Sequence, residues 1–434
     1  MKTVVAHRGL SVGLRDEPGE MEQLRAALQV LAGGQSRSLG LTRDRHHMVG
    51  NVLERYAAVP SLADPRVLLP LDVPAAALRA ILQQHAAGAA SPLARTAAKL
   101  LGLASRVGLT RPLLRHRVSV IALDHELSTS PLHTYLREIL HRRDFVTSFR
   151  LAPGRPNGKP VVQVVAHDGT VLAYAKFGWE ELTCKLIQHE ATVLSELAPL
   201  TRGTIVRIPE VIHAGEWRGL QTLILAPLQG SGRTPHSLGD LPVAASRALL
   251  AAGPQAIERL GDSAFWRRSR ARIEQLGPFL SPQSHALVVR ARDAVEVRWT
   301  DTLLPTGRSH GDWIPPNMLL CPDGVCNVWD WERSLPDTPM GIDAIQFVVF
   351  QVLLQPWTSW TPCGHAATIG RKVLSELDLD HCHFMLLAIL TLLQTLLWYA
   401  EARQAGREGD EDNRFTKALT AILDNLPSTM SPRK

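Results

Sequence analysis

The sequence predicts an α+β protein in which a strand-rich part precedes a largely helical one, with a further α+β region ahead of both. Three observations predict it. From Phe145 to Phe177, three runs of strand formers are separated by turn residues, and the last, Val171–Phe177, shows a period of two. From Ala244 to Trp299, apolar residues recur at helical spacing. Between residues 303 and 332 lies a loop of turn formers followed by two short, mostly apolar runs, Met318–Leu320 and Val325–Trp329, around a Pro322-Asp323-Gly324 turn, which together read as a β-hairpin.

In chain order, residues 21–58 read as helical in part, and residues 1–20 are expected to be a disordered or non-native extension. Arg66–Asp72 and Val118–Leu123 read as strands, with helices over Pro74–Gln84 and Pro92–Leu103. Ser130-Pro131 places an N-cap and a first-turn proline at the start of a helix reaching His141. Strands follow at Phe145–Leu151, Pro160–Ala166 and Val171–Phe177. Next come a helix over Glu181–Leu197 with a loose stripe of Leu182, Leu186, Ala191, Leu194 and Leu197, and a strand from Gly219 into a linker at Ala226-Pro227-Leu228-Gln229. Helices are predicted over Ala244–Leu260, Ser263–Leu276 and Ser281–Trp299. Met385–Ala400, the most apolar run, is shorter than the ~20 residues a bilayer needs and reads as a buried helix, with no membrane span expected.

The residues that carry chemistry are concentrated late. Ser309-His310-Gly311-Asp312-Trp313-Ile314-Pro315-Pro316-Asn317 precedes Trp329-Asp330-Trp331-Glu332. Asp312 and Asn317 stand five positions apart, the offset between base and metal-binding Asn in the kinase catalytic loop H-R-D-L-x-x-x-N. Phosphoryl transfer asks for a carboxylate to take a hydroxyl proton and oxygen ligands for Mg²⁺ on the phosphates. Asp312 fits the first role. Asn317 and Asp330, hard oxygen donors, fit the second. A turn with no chemistry would account for the composition, but not for a hairpin delivering Asp330 beside the loop.

These segments resemble the aminoglycoside phosphotransferase and choline kinase group of kinase-like enzymes, over roughly Phe145 to the C-terminus. The resemblance implies a two-lobed, protein-kinase-like fold and transfer of the γ-phosphate of ATP or GTP, with Mg²⁺, to a small-molecule hydroxyl. It divides the chain into an N-terminal α+β appendage (1–144), a nucleotide-binding lobe and hinge (145–230) and a mainly helical lobe (231–434). It makes Lys176 the phosphate-contacting strand lysine and Glu190 its helical partner. The hinge at Ala226 and Leu228 would bind the nucleobase through backbone groups. His310 would belong to the catalytic loop, as a brace rather than a base, and Asp343 would be buried beneath that loop.

The glycines Gly154 and Gly158 are candidates to cover phosphates through backbone N–H groups. They do not make a Walker motif: they stand one residue too close, and Pro160 occupies the position of the Mg²⁺-binding hydroxyl. A protein kinase is disfavoured because Asp330 lies in Trp-Asp-Trp-Glu rather than D-F-G. A catalytically silent kinase-like scaffold is the alternative from a different class, and the presence of Lys176, Asp312, Asn317 and Asp330 together argues against it.

Composition bounds the remainder. With 434 residues, 45% of them hydrophobic, the chain can bury a sizeable core. Five cysteines, an odd number without C-x-x-C spacing, predict reduced thiols. His381-Cys382-His383 lacks the second spaced pair of a structural metal site. The net charge of +6 divides unevenly: residues 1–145 hold 19 basic and 12 acidic side chains, the remainder 28 and 29. The basic residues Arg106, Arg111, Arg115 and Arg117 read as a solvated or structural cluster, and no zinc-finger, RNA-binding or homeodomain signature supports a nucleic-acid partner. A cytoplasmic location is expected, with no apolar signal core at the start and ATP at hand. The acceptor and the oligomeric state are left open by the sequence.

Overall fold

The protein is described by a computed structural model over residues 4–5, 11–12, 20–34, 38–43, 51–87, 96, 114–124, 126–151, 158–353, 364–406 and 413–426. The predicted helix over Pro92–Leu103 falls almost entirely outside these residues, as do Gly154, Arg106 and Arg111. The chain forms two compact units. One comprises Met1–Ala191 with Glu210–Pro227, the other Thr192–Pro209 with Leu228–Lys434.

The first unit is built on a sheet. Its elements are β1 (Val4–Val5), β2 (Ser11–Val12), α1 (Glu20–Ala32), β3 (Leu39–Arg43), β4 (Val52–Pro60), β5 (Pro65–Pro70), α2 (Ala75–Ala87), β6 (Arg117–Ala122), α3 (Pro131–Leu140), β7 (Phe145–Arg150), β8 (Val161–Ala166), β9 (Val171–Gly178) and the start of α4 (Glu181–Thr201). After β10 (Val206–Arg207), which belongs to the second unit, β11 (Val211–Trp217) and β12 (Leu220–Leu225) return to the sheet. Among the described residues the order is β1-β2-β3-β6-β4-β5-β7-β8-β9-β12-β11, antiparallel except for β2 against β3.

Residues 21–58 are helical in part, as expected: among the described residues they hold helix α1 and the strands β3 and β4. Helix α1 stops because Gly33 and Gly34 take φ of 70° and 89°, with Gly34 N–H donating to Gln29 O and Gly33 N–H to Val30 O, the double bond of a Schellman cap. Helix α3 starts where predicted, Ser130 Oγ accepting from His133 N–H. The alternation within β7 sends Phe145 and Phe149 into one core, with Leu28 and Leu31 of α1 and Leu132 and Leu136 of α3. Val146 points into the other, with Ile81 and Leu82 of α2.

The second unit is mainly helical: α5 (Val243–Ala251), β13 (Ala256–Arg259), α6 (Ala264–Leu276), α7 (Pro282–Trp299), β14 (Leu303–Ser309), β15 (Met318–Leu320), β16 (Cys326–Val328), β17 (Leu335–Pro339), α8 (Ile342–Leu353), α9 (His365–Glu376), α10 (Phe384–Gln404) and α11 (Asn413–Asp424). The helix predicted over Ala244–Leu260 ends instead at Ala251. Gly253-Pro254 breaks it, and Ala256–Arg259 pairs as a strand with β14. Helices α6 and α7 start on the N-caps Ser263 and Ser281. Helix α10 is longer than the predicted Met385–Ala400. His381–Gln404 passes for a membrane span by length and composition, but 67% of its apolar stretch is buried. Leu386, Leu390, Leu393 and Leu397 sit in one cluster with Ile273 of α6, Val288 and Val295 of α7, Ile345 of α8 and Leu419 of α11.

Candidate functional site

Strand β14 delivers His310 and Asp312 into a loop that α8 holds by its backbone. Asp343, in the first turn of α8, accepts the N–H groups of His310 (2.7 Å) and Gly311 (3.0 Å) on its two carboxylate oxygens. One helical turn on, Gln346 accepts Trp313 N–H at 2.7 Å and donates to Gly311 O at 3.1 Å. Sequence reasoning placed Asp343 and missed Gln346. The signal was its i+3 spacing, which puts both side chains on one helix face.

Gly311 has φ 83°, and a Cβ there would run into the carbonyl oxygen of Arg333, so the loop tolerates glycine alone at this point. His310 is fully buried. Its Nε2 donates to Trp329 O at 3.1 Å, its Nδ1 accepts Asp312 N–H at 3.1 Å, and its ring meets Trp331 edge-on with centroids 4.5 Å apart. Both bonds are satisfied by the neutral ring with the proton on Nε2.

Asp312 is half-buried, and Asn317 Nδ2 donates to its Oδ2 at 2.7 Å and to its backbone O at 3.0 Å. With the amide nitrogen committed to Asp312, the Asn317 amide oxygen is the end left to ligate a cation. The β15–β16 hairpin, registered by Met318↔Val328 and Leu320↔Cys326, carries the chain on to Asp330, a non-glycine residue at φ 73°. The Asp312 carboxyl is pushed up to about 7, by burial first and then by the negative charge of Asp330, with Glu332 adding to it; Asn317 and Arg333 oppose the shift. Asp343 is pushed up to about 6 by burial, restrained by the two N–H groups it accepts.

In the first unit, Lys176 lies on β9 between Val161 of β8 and Leu223 of β12. Its Nζ donates to both oxygens of Glu190, on α4, at 2.7 Å each, and the two side chains are 9% and 0% exposed. Gly178 makes the turn between strand and helix possible: a Cβ there would come within 2.8 Å of the Thr183 backbone. Ala226 N–H donates to Glu210 O at 2.8 Å, and Gln229 O accepts from Asn327 Nδ2 at 3.0 Å, so part of the predicted hinge backbone is engaged within the protein. Gly158 is half-buried at the approach to β8, and Gly154 lies outside the described residues.

No protein-family model and no curated protein matches the sequence. Among solved structures the chain is similar to kinase-like small-molecule phosphotransferases. A thermostable mutant of aminoglycoside phosphotransferase APH(4)-Ia, in a ternary complex with ADP and hygromycin B, is 16% identical with a TM-score of 0.47, over 69% of this chain and 99% of that one. Choline kinase LicA from Streptococcus pneumoniae is 17% identical with a TM-score of 0.45, over 68% and 99%. A protein described as a fructosamine-3-kinase from Haemophilus somnus is 14% identical with a TM-score of 0.40, over 68% and 96%.

Proposed function

We propose that the protein transfers the γ-phosphate of ATP or GTP to a hydroxyl of a small molecule, with Asp312 as the general base. The observation that carries this reading is the Asp312 carboxylate itself, fixed by Asn317 at 2.7 Å and raised to about 7. A base matched to neutral pH combines a useful ionised fraction with real proton affinity.

In the transfer, the acceptor oxygen forms a bond to the γ-phosphorus as the bond to the bridging oxygen breaks. The nucleoside diphosphate leaves with that electron pair, and the hydroxyl proton passes to Asp312. Neutral His310 holds the loop and takes no proton in this scheme. Lys176, oriented by Glu190, neutralises phosphate charge. Asn317 and Asp330 would hold Mg²⁺: both offer hard oxygen donors, and the repulsion between Asp330 and Asp312 is what a dication would relieve. Bound there, the metal would supply charge neutralisation to the phosphate oxygens.

The test is turnover of Mg²⁺-ATP and Mg²⁺-GTP against sugars, amino alcohols and aminoglycosides, run beside Asp312→Asn. The variant is expected to keep nucleotide affinity and to lose ~10²-fold or more in kcat. Full activity in the variant would remove Asp312 from the role. Nucleotide binding without turnover on any acceptor would favour the catalytically silent scaffold.

A further inference from the structure

Behind the catalytic loop sits a pair of arginines that the scheme above does not use. Arg333 backs directly onto Gly311: a Cβ added there would lie 3.0 Å from the Arg333 Cβ. The Arg333 guanidinium lies over the Trp398 ring, 5.2 Å from its centroid, and Nη1 donates to Glu401 Oε2 at 2.6 Å. Arg272, on α6, brings Nη2 to 3.8 Å from the same Glu401 oxygen, while its Nη1 donates to Gln394 Oε1 at 2.8 Å.

Two guanidinium groups therefore share one carboxylate, which leaves a surplus positive charge. Three of their nitrogens, Arg333 Nε and Nη2 and Arg272 Nη2, are withdrawn from solvent without a hydrogen-bond partner. Charged donors in that condition are costly unless something accepts from them. Burial presses Arg272 below the ordinary arginine range; Glu401 counters this and Arg333 adds to it. Arg272, Arg333, Gln394, Trp398 and Glu401 each retain partial exposure, so the cluster is not sealed in the core. Arg333 also acts electrostatically on the Asp312 carboxyl.

We propose that Arg272 and Arg333 form an acceptor subsite for an oxyanion, a carboxylate or a phosphate, carried by the hydroxyl-bearing substrate. The proposal rests on the phosphotransferase reading and narrows its acceptor from any small alcohol to an anionic one. Guanidinium forks match the paired oxygens of carboxylate and phosphate. The same surplus charge works against a polycation such as an aminoglycoside.

The experiment measures binding of glycerate, glycerol phosphate, glycerol and ethanolamine by calorimetry without nucleotide, and then turnover of the same four with Mg²⁺-ATP. At least one anion is expected to bind, with glycerol and ethanolamine far weaker, and the comparison of the two anions separates carboxylate from phosphate. Arg272→Gln is expected to weaken the anion's Kd and raise its KM about tenfold or more, with Arg272→Lys recovering part of the loss and the Kd for Mg²⁺-ATP held. Failure of both anions to bind, equal binding or turnover of the neutral or cationic probes, or an anion Kd unmoved in Arg272→Gln would overturn the proposal. Arg272-dependent anion binding by a protein that does not bind Mg²⁺-ATP would instead sink the phosphotransferase reading and leave an oxyanion site standing.

Discussion

Asp312 shows how far one side chain's surroundings set its chemistry. Burial and the Asp330 charge together lift its carboxyl to about 7, so it is protonated over part of the neutral range. On the proposed reading the ionised form is the base, and activity should therefore rise with pH through that region as an acid limb in kcat/KM. A ¹³C-carboxyl titration of the metal-free protein should find Asp312 near the same value. Asp330→Asn, which removes the larger of the two neighbouring negative charges that raise it, should move it down; an Asp312 that titrates in the ordinary carboxylate range in both proteins would contradict this account. Asp343 carries the opposite duty. It is raised to about 6, so between its unfolded value and 6 the folded chain holds a proton that the unfolded chain releases. Its contribution to stability accordingly declines as pH climbs through that window. In Asp343→Asn an amide NH₂ faces one of two backbone N–H donors, and kcat should drop with nucleotide affinity little changed, as single-turnover and binding measurements can separate. Asp312 was legible in the sequence because turn chemistry and a fixed offset to Asn317 mark it, and Asp343 only through the family resemblance. Gln346 offered only its i+3 spacing from Asp343, and the Arg272–Arg333 pair offered no signal, because its members lie far apart along the chain and only folding brings them together.

Among the elements, legibility followed local chemistry. The strands from Phe145 to Gly178 were readable as runs of strand formers bounded by turn residues; both faces of β7 and β8 are buried in the two cores, so neither shows a strict alternation. The helix over Ala244–Leu260 was misread because its apolar spacing continued past Gly253-Pro254. There the backbone must change direction, and Gly253 packs so tightly that a Cβ would come within 2.8 Å of the Arg308 Cβ. Helix α10 has no distinct polar face to read, since its apolar residues lie all round the axis and packed helices bury 67% of its apolar stretch. It should accordingly be the most sensitive helix of its unit. Leu393→Ala, at a position 1% exposed, should cost about 2–5 kcal/mol, seen as a lowered urea midpoint. A loss below ~1 kcal/mol would mean that the site collapses around the change or was never tightly packed.

At the level of the whole molecule, the family resemblance set residues 1–144 apart as an appendage, yet in the first unit those residues share one sheet with the strands that follow. Strand β5 pairs with β7 through Val67↔Arg150 and Leu68↔Phe149, and Tyr56 of β4 meets Phe149 edge-on with centroids 5.6 Å apart. A chain shortened to residues 145–434 would bare the open edge of β7 and the apolar side chains that α1, α3 and β4 cover. It is expected to aggregate more on expression than the full chain does; a monomeric, nucleotide-binding fragment in size-exclusion chromatography would show that the leading region is dispensable.

That shared ladder also bears on how the protein opens. From β3 to β12 one run of inter-strand bonds links segments more than a hundred residues apart, with Lys176 near its far side. Amides in β4–β6 and in β7–β9 then belong to a single cooperative unit, protected from solvent exchange by one common free energy. Loosening a leading strand would thereby loosen the grip on the lysine through the intervening strands of the sheet.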